Sequence, residues 1–182
     1  MASPEYASTT SPTTLLGESG FFEAGLVVER NAGAVAGADV ADALANLAAE
    51  EKEVSDAVAR ATRAISPDLI LLAIAGTELQ RSGVQAGLRT VAEGYADRSY
   101  DQRGQLVARS QKGAVIHDPE QAAARCVEMA MGKGLPRIDG GYVPVEVESL
   151  CVHGDTPGAV QIARRCREAL ESAGFEIVSF SH

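Results

Sequence analysis

A basic charge excess, a long apolar run and paired cysteine motifs are all missing from this chain, and each absence removes a class of function. Sixteen Lys and Arg stand against 25 Asp and Glu, a net charge of −9, which disfavours binding to nucleic acid phosphates or anionic membrane surfaces. No apolar stretch reaches the length of a transmembrane helix. The first 20 residues carry neither a basic region nor a continuous apolar core, unlike a secretory signal, so a soluble cytoplasmic protein is expected. Cys126, Cys151 and Cys166 are odd in number, widely spaced and set in apolar patterns; no CxxC or Cys-His cluster suggests zinc, and buried thiols are expected. GxxxxGK[ST], GxGxxG after a strand and GxSxG are also absent. Walker-type nucleotide binding, Rossmann dinucleotide binding and serine hydrolysis thus lack their usual signatures.

What is present suffices for one domain: 182 residues with 46% hydrophobic content, too few for two full domains. Ser, Thr and Pro crowd residues 2–14, which predicts disorder there. An Ala-rich stretch over residues 38–65 has helical apolar spacing, with Glu50, Glu51, Lys52 and Glu53 on its wet side. Ser66-Pro67-Asp68 breaks it, and Leu69-Ile70-Leu71-Leu72-Ala73-Ile74 reads as a strand buried on both faces. A helix over residues 78–86 and a strand at residues 88–92 complete a βαβ unit with parallel strands. After a long polar connection, Asp118-Pro119-Glu120-Gln121 opens a helix over residues 119–131, with Asp118 as cap and Gln121 in capping-box position. Short strands are expected at residues 142–147 and up to His153. Thr156 and Pro157 should cap and start the final helix, which ends near Gly174, and residues 175–178 read as a last strand.

The segment Leu150-Cys151-Val152-His153-Gly154-Asp155-Thr156-Pro157 is the richest in chemistry. An apolar run stops at polar groups where a helix begins, the carboxyl-end corner at which parallel sheets bind ligands. An imidazole oriented by Asp155 could move protons near neutral pH, and the following helix terminus could hold an anion. His117 also precedes an acidic residue and a helix-starting proline. In the bland alternative, Asp118 and Thr156 only cap helices and the histidines make local hydrogen bonds. Asp97 and Arg98 follow a strand and mark either a second corner or a surface ion pair of little worth. Arg109 and Ser110 suit a carboxylate or phosphate, or are simply solvated. His182 is given no role.

An ordered series of motifs, Asp68-Leu69-Ile70-Leu71, Ala75-Gly76-Thr77-Glu78-Leu79, Gly87-Leu88-Arg89, Ala96-Asp97-Arg98-Ser99-Tyr100, Arg109-Ser110-Gln111, Gly113-Ala114-Val115-Ile116-His117-Asp118-Pro119-Glu120 and Cys151-Val152-His153-Gly154-Asp155-Thr156-Pro157-Gly158-Ala159, resembles the LamB/YcsF family, the A-type subunits of 5-oxoprolinase. The likeness runs from about Leu47 to Gly174. It implies an α/β fold, specifically a partial β/α barrel of the glycoside hydrolase/deacetylase type with parallel strands. It also implies ATP-dependent hydrolytic opening of the 5-oxoproline lactam to glutamate, together with partner subunits. Asp97, His117, His153 and Asp155 are then the candidates for proton transfer or for orienting the lactam. Arg98, Arg109 and Ser110 are the candidates for binding it; the metal requirement is left open.

The family's Asp- and Asn-containing first strand and its Lys-Pro-His-Gly-Ala-Leu-Tyr motif have no counterpart here. Residues 1–37 therefore read as disordered or unrelated, residues 38–182 as the partial domain, and the chain as truncated. Loss of early strands leaves a parallel sheet with a bare edge, which self-association would cover. An incomplete site also fits a noncatalytic interaction protein that keeps a partner-binding surface.

Overall fold

The computed structural model describes residues 12–17, 20–29, 47–154 and 157–178. Its fold is α/β. Strands β1 (Pro12–Gly17) and β2 (Gly20–Glu29) form an antiparallel hairpin. Helix α1 (Lys52–Ile65), strand β3 (Ile70–Ile74), helix α2 (Glu78–Gln85) and strand β4 (Arg89–Tyr95) follow. Helix α3 (Pro119–Ala130), the two-residue strands β5 (Leu135–Pro136) and β6 (Tyr142–Val143), strand β7 (Ser149–His153) and helix α4 (Ala159–Ser172) complete the chain. The main sheet has the order β1-β2-β7-β4-β3, with β2, β7, β4 and β3 all parallel, while β5 and β6 form a separate antiparallel pair. Of the expected amino-terminal segments, residues 1–11, 18–19 and 30–46 lie outside the described residues, whereas residues 12–17 and 20–29, expected to be disordered or unrelated, form β1 and β2. Among the described residues no helix is long and apolar enough to cross a membrane.

The predicted βαβ unit is β3-α2-β4, with Ile70 to Ile74 registered against Arg89 to Glu93. One expectation is corrected: β3 is not buried on both faces. It is the edge strand of the sheet, and only Ala73 within it is fully buried. The apolar run reports hydrophobicity, whereas burial on both faces requires a layer packed on each face of the sheet. Residues 175–178 form no strand; Phe175 and Ile177 instead pack as loop residues against the core.

Alternation along the strands divides the sheet. On one face Ala92, Ala96, Leu150 and Val152 meet Ala122, Ala123, Cys126 and Met129 of α3 and Ile162, Cys166 and Leu170 of α4. The spacing of Ala159, Ile162, Cys166 and Leu170 gives α4 one buried stripe, and Val160 off that stripe is exposed. Gly94 lets α3 approach closely, because a Cβ there would lie 2.8 Å from Met129 Sδ and 2.9 Å from Val147 Cγ1. All three cysteines are buried and reduced, as expected. A hydrogen bond with Cys166, followed by burial, pushes the Cys126 thiol well up, which keeps it an unreactive packing group.

Helix α3 starts as the sequence predicts. Asp118 accepts a hydrogen bond from the Glu120 N–H at 3.0 Å, and Pro119 occupies the first turn. Replacing Asp118 by Ala is expected to lower stability by about 1 kcal/mol, the usual value of an N-cap, read from the urea midpoint; an unchanged midpoint would show the cap to be idle.

Candidate active site

Because β4 and β7 are adjacent and parallel, their carboxyl ends emerge side by side. The ladder runs one residue past β4, with the Ala96 N–H donating to Cys151 O at 3.0 Å. The next residue, Asp97, therefore stands beside His153, the last residue of β7. Asp97 is fully buried. Its Oδ2 accepts from the His153 backbone N–H at 3.0 Å, and its Oδ1 lies 2.8 Å from His153 Nδ1. A carboxylate can only accept, so the ring donates from Nδ1 and Nε2 is left for a reacting partner. The Tyr95 ring meets the imidazole edge-on at 4.8 Å, and 13% of the His153 side chain remains exposed. An imidazole held in one tautomer by a buried carboxylate is a proton-transfer device.

The carboxylate that orients His153 thus comes from the neighbouring strand. Asp155 and Thr156, expected as partner and cap, lie outside the described residues. The expected helix start is corrected: α4 begins at Ala159 behind Gly158, which adopts φ 85° with no side-chain cap, so Pro157 precedes the helix. A left-handed residue at that position breaks the turn that Pro157 would have opened.

The backbone beyond Asp97 is tied to the segment before α3. Asp97 O accepts from the Ile116 N–H at 2.8 Å, Ser99 N–H donates to Ala114 O at 2.9 Å, and Arg98 bridges to Val115. His117 comes next in that segment but is exposed, and among the described residues its side chain makes no hydrogen bond or ion pair. The structure does not join it to the Asp97–His153 pair.

Arg98 is not part of a surface ion pair. It is 5% exposed and donates from Nη2 to Val107 O at 2.9 Å, while its Nε has no partner among the described residues. Burial, then the nearby charge of Arg109, draws its pKa below the usual guanidinium range. A buried cation with a cationic neighbour is suited to an anion. Arg109 and Ser110 are exposed on the adjoining loop. Among the described residues no group of three or more His, Cys, Asp and Glu could hold a metal ion.

Sequence reasoning missed four residues on β4, on the loop after it and on α3. Tyr95 packs on the imidazole, and Tyr100, fully buried, accepts from the Tyr95 N–H at 2.6 Å through its hydroxyl. Glu93 is a buried carboxylate at 6% exposure, registered beside Ser149. Arg125 is buried on α3. The available signal was charge inside apolar runs: Glu93 after Val91-Ala92, and Arg125 within Ala122-Ala123-Ala124-Arg125-Cys126.

Residues 27–182 match the LamB/YcsF family. The chain is 42% identical over 139 residues to one of the 5-oxoprolinase A-type subunits of Pseudomonas syringae pv. tomato, covering 76% of this chain and 54% of that protein. It is 47% identical over 136 residues to the 5-oxoprolinase A-type subunit of an Azoarcus species, covering 75% and 53% respectively. The crystal structure of a lactam utilization protein from Thermus thermophilus superposes with a TM-score of 0.68 at 40% identity, over 76% of this chain and 55% of that one. The chain therefore spans about half the length of the curated relatives it matches. With the motif series, the fold and the strand-end pair all in place, the chain belongs to the LamB/YcsF family.

Proposed function

We propose that this chain serves in opening a lactam ring by hydrolysis, with 5-oxoproline as substrate and glutamate as product, as the A-type component of a cytoplasmic complex with partner subunits. Residues 38–182 carry the activity as a partial β/α barrel. The observation that supports this most directly is the Asp97–His153 contact at the carboxyl edge of the parallel sheet, together with relatives named as A-type subunits of 5-oxoprolinase.

His153 Nε2 takes a proton from water as its oxygen attacks the lactam carbonyl carbon, and Asp97 stabilises the imidazolium that forms. The ring C–N bond then breaks, and the proton passes to the departing nitrogen. Asp155 and His117 are the further candidates for handling that proton or orienting the ring. Arg98 and the neighbouring Arg109 hold the substrate carboxylate, and Ser110 adds a hydroxyl. When bound in the complex, ATP supplies the activation that an unstrained amide carbonyl needs.

Mixing the chain with partner subunits, ATP and 5-oxoproline should release glutamate, and His153→Ala should lower the rate by about 10²–10⁴-fold, the usual contribution of an acid–base group. Soluble, folded wild-type protein that releases none would overturn the proposal. A second reading, partner binding without turnover, is favoured by the incompletely buried β3 edge, which a partner or a second copy of the chain would cover. It predicts partner binding that survives His153→Ala, with no glutamate from the wild type.

A further inference from the structure

Arg125 is the one charged residue among the buried positions of α3, and it is only 8% exposed. Its Nη2 donates to Arg98 O at 2.6 Å and to Pro136 O at 3.1 Å, and its Nη1 donates to Ser99 Oγ at 3.2 Å. Ser99 Oγ in turn donates to Gly113 O at 2.8 Å. Among the described residues no carboxylate pairs with this guanidinium, and its Nε has no partner. Burial draws its pKa below the usual range.

As a stabilising element this is a poor choice. A buried charge without a counter-ion is costly, and an apolar side chain of similar volume often serves stability as well or better. A planar fork that reaches three acceptors at once is what an apolar residue cannot provide.

Two of those acceptors belong to the residues directly after Asp97, and the third, Pro136 O, also receives the Tyr100 N–H. Arg98 O belongs to the peptide that follows Asp97 by one residue, and Asp97 O is held by the Ile116 N–H. The carbonyl of Asp97 and that of the next residue are therefore both fixed from outside the sheet, which sets the direction in which the Asp97 side chain meets His153. Reactive groups must be held within about 0.5 Å of their working geometry by such supports. We propose that Arg125 is a positioning residue for the Asp97–His153 pair, locking the backbone after Asp97 so that the carboxylate keeps the His153 ring in its Nδ1–H form. This rests on the reading of that pair as the reactive groups.

The test is the ¹⁵N spectrum of the histidine rings in the full chain, which has three histidines, with His117→Gln and His182→Gln supplying assignments. Wild type should show His153 in the Nδ1–H form. In Arg125→Met the His153 signals should move to averaged values as both tautomers become populated. Arg125→Lys keeps charge and stem but cannot span all three acceptors, and should shift the same signals part of the way. Amide-spectrum dispersion checks the fold. Unmoved His153 signals in folded Arg125→Met, or unfolding of both variants, would mean that Arg125 only holds the fold together. No readout involves turnover, so an inactive wild type would sink the lactam reading and leave this result intact.

Discussion

Asp97→Asn should leave the chain folded and abolish its chemistry. The amide is the same shape as the carboxylate, and its oxygen can still accept the His153 backbone N–H that Oδ2 now receives at 3.0 Å. Its second position presents N–H₂ to Nδ1, which must then become an acceptor, moving the ring proton to Nε2. That nitrogen can no longer take a proton from water. The expected outcome is a fall in turnover of about 10²–10⁴-fold with a stability loss of about 1–2 kcal/mol, read from glutamate release in the reconstituted complex and from urea unfolding. Asp97→Ala removes both acceptors from a site with no exposure and should cost about 3 kcal/mol. Activity within tenfold of wild type in a folded Asn variant would show that Asp97 acts on stability alone.

Asp97 also shows where sequence reading stops. His153 at a strand end was legible, because Leu150-Cys151-Val152 is apolar and the residues after it are polar. The identity of its partner was not, since Asp97 lies 56 residues earlier and meets His153 only because β4 and β7 are sheet neighbours. Local spacing instead favoured Asp155, two residues away. Arg98 could not be recognised as buried for the same reason: the groups that enclose it, the carbonyl of Val107 and the bridge to Val115, arrive through loop contacts. The start of α3 was readable because Asp118 and Pro119 act locally. The start of α4 was misread because Gly158, not Thr156, stands at the cap.

The second large effect is expected at a glycine remote in sequence from either reactive residue. Gly134 has φ 93°, and a Cβ built there would lie 2.0 Å from Val143 O, 2.9 Å from Val143 C and 3.2 Å from Val145 N. These are backbone atoms of β6, whose Val143 is registered against Leu135 of β5, and of Val145 just after it, so no side-chain rotation relieves the clash. Gly134→Ala should cost about 3–5 kcal/mol, combining left-handed strain with a displaced strand, a large part of the stability of an ordinary domain. Gly140→Ala separates the two contributions. Gly140 has nearly the same φ, 91°, but nothing within 4 Å of the added Cβ, so only the conformational cost of about 1 kcal/mol should appear. Equal losses at the two positions in urea unfolding would show that the β5–β6 contact yields without cost. The difference matters for the site, because Pro136, two residues on, presents its carbonyl to both Arg125 and the Tyr100 N–H. A folded fraction of Gly134→Ala should therefore show His153 ring signals displaced as in Arg125→Met, whereas Gly140→Ala should leave them in place.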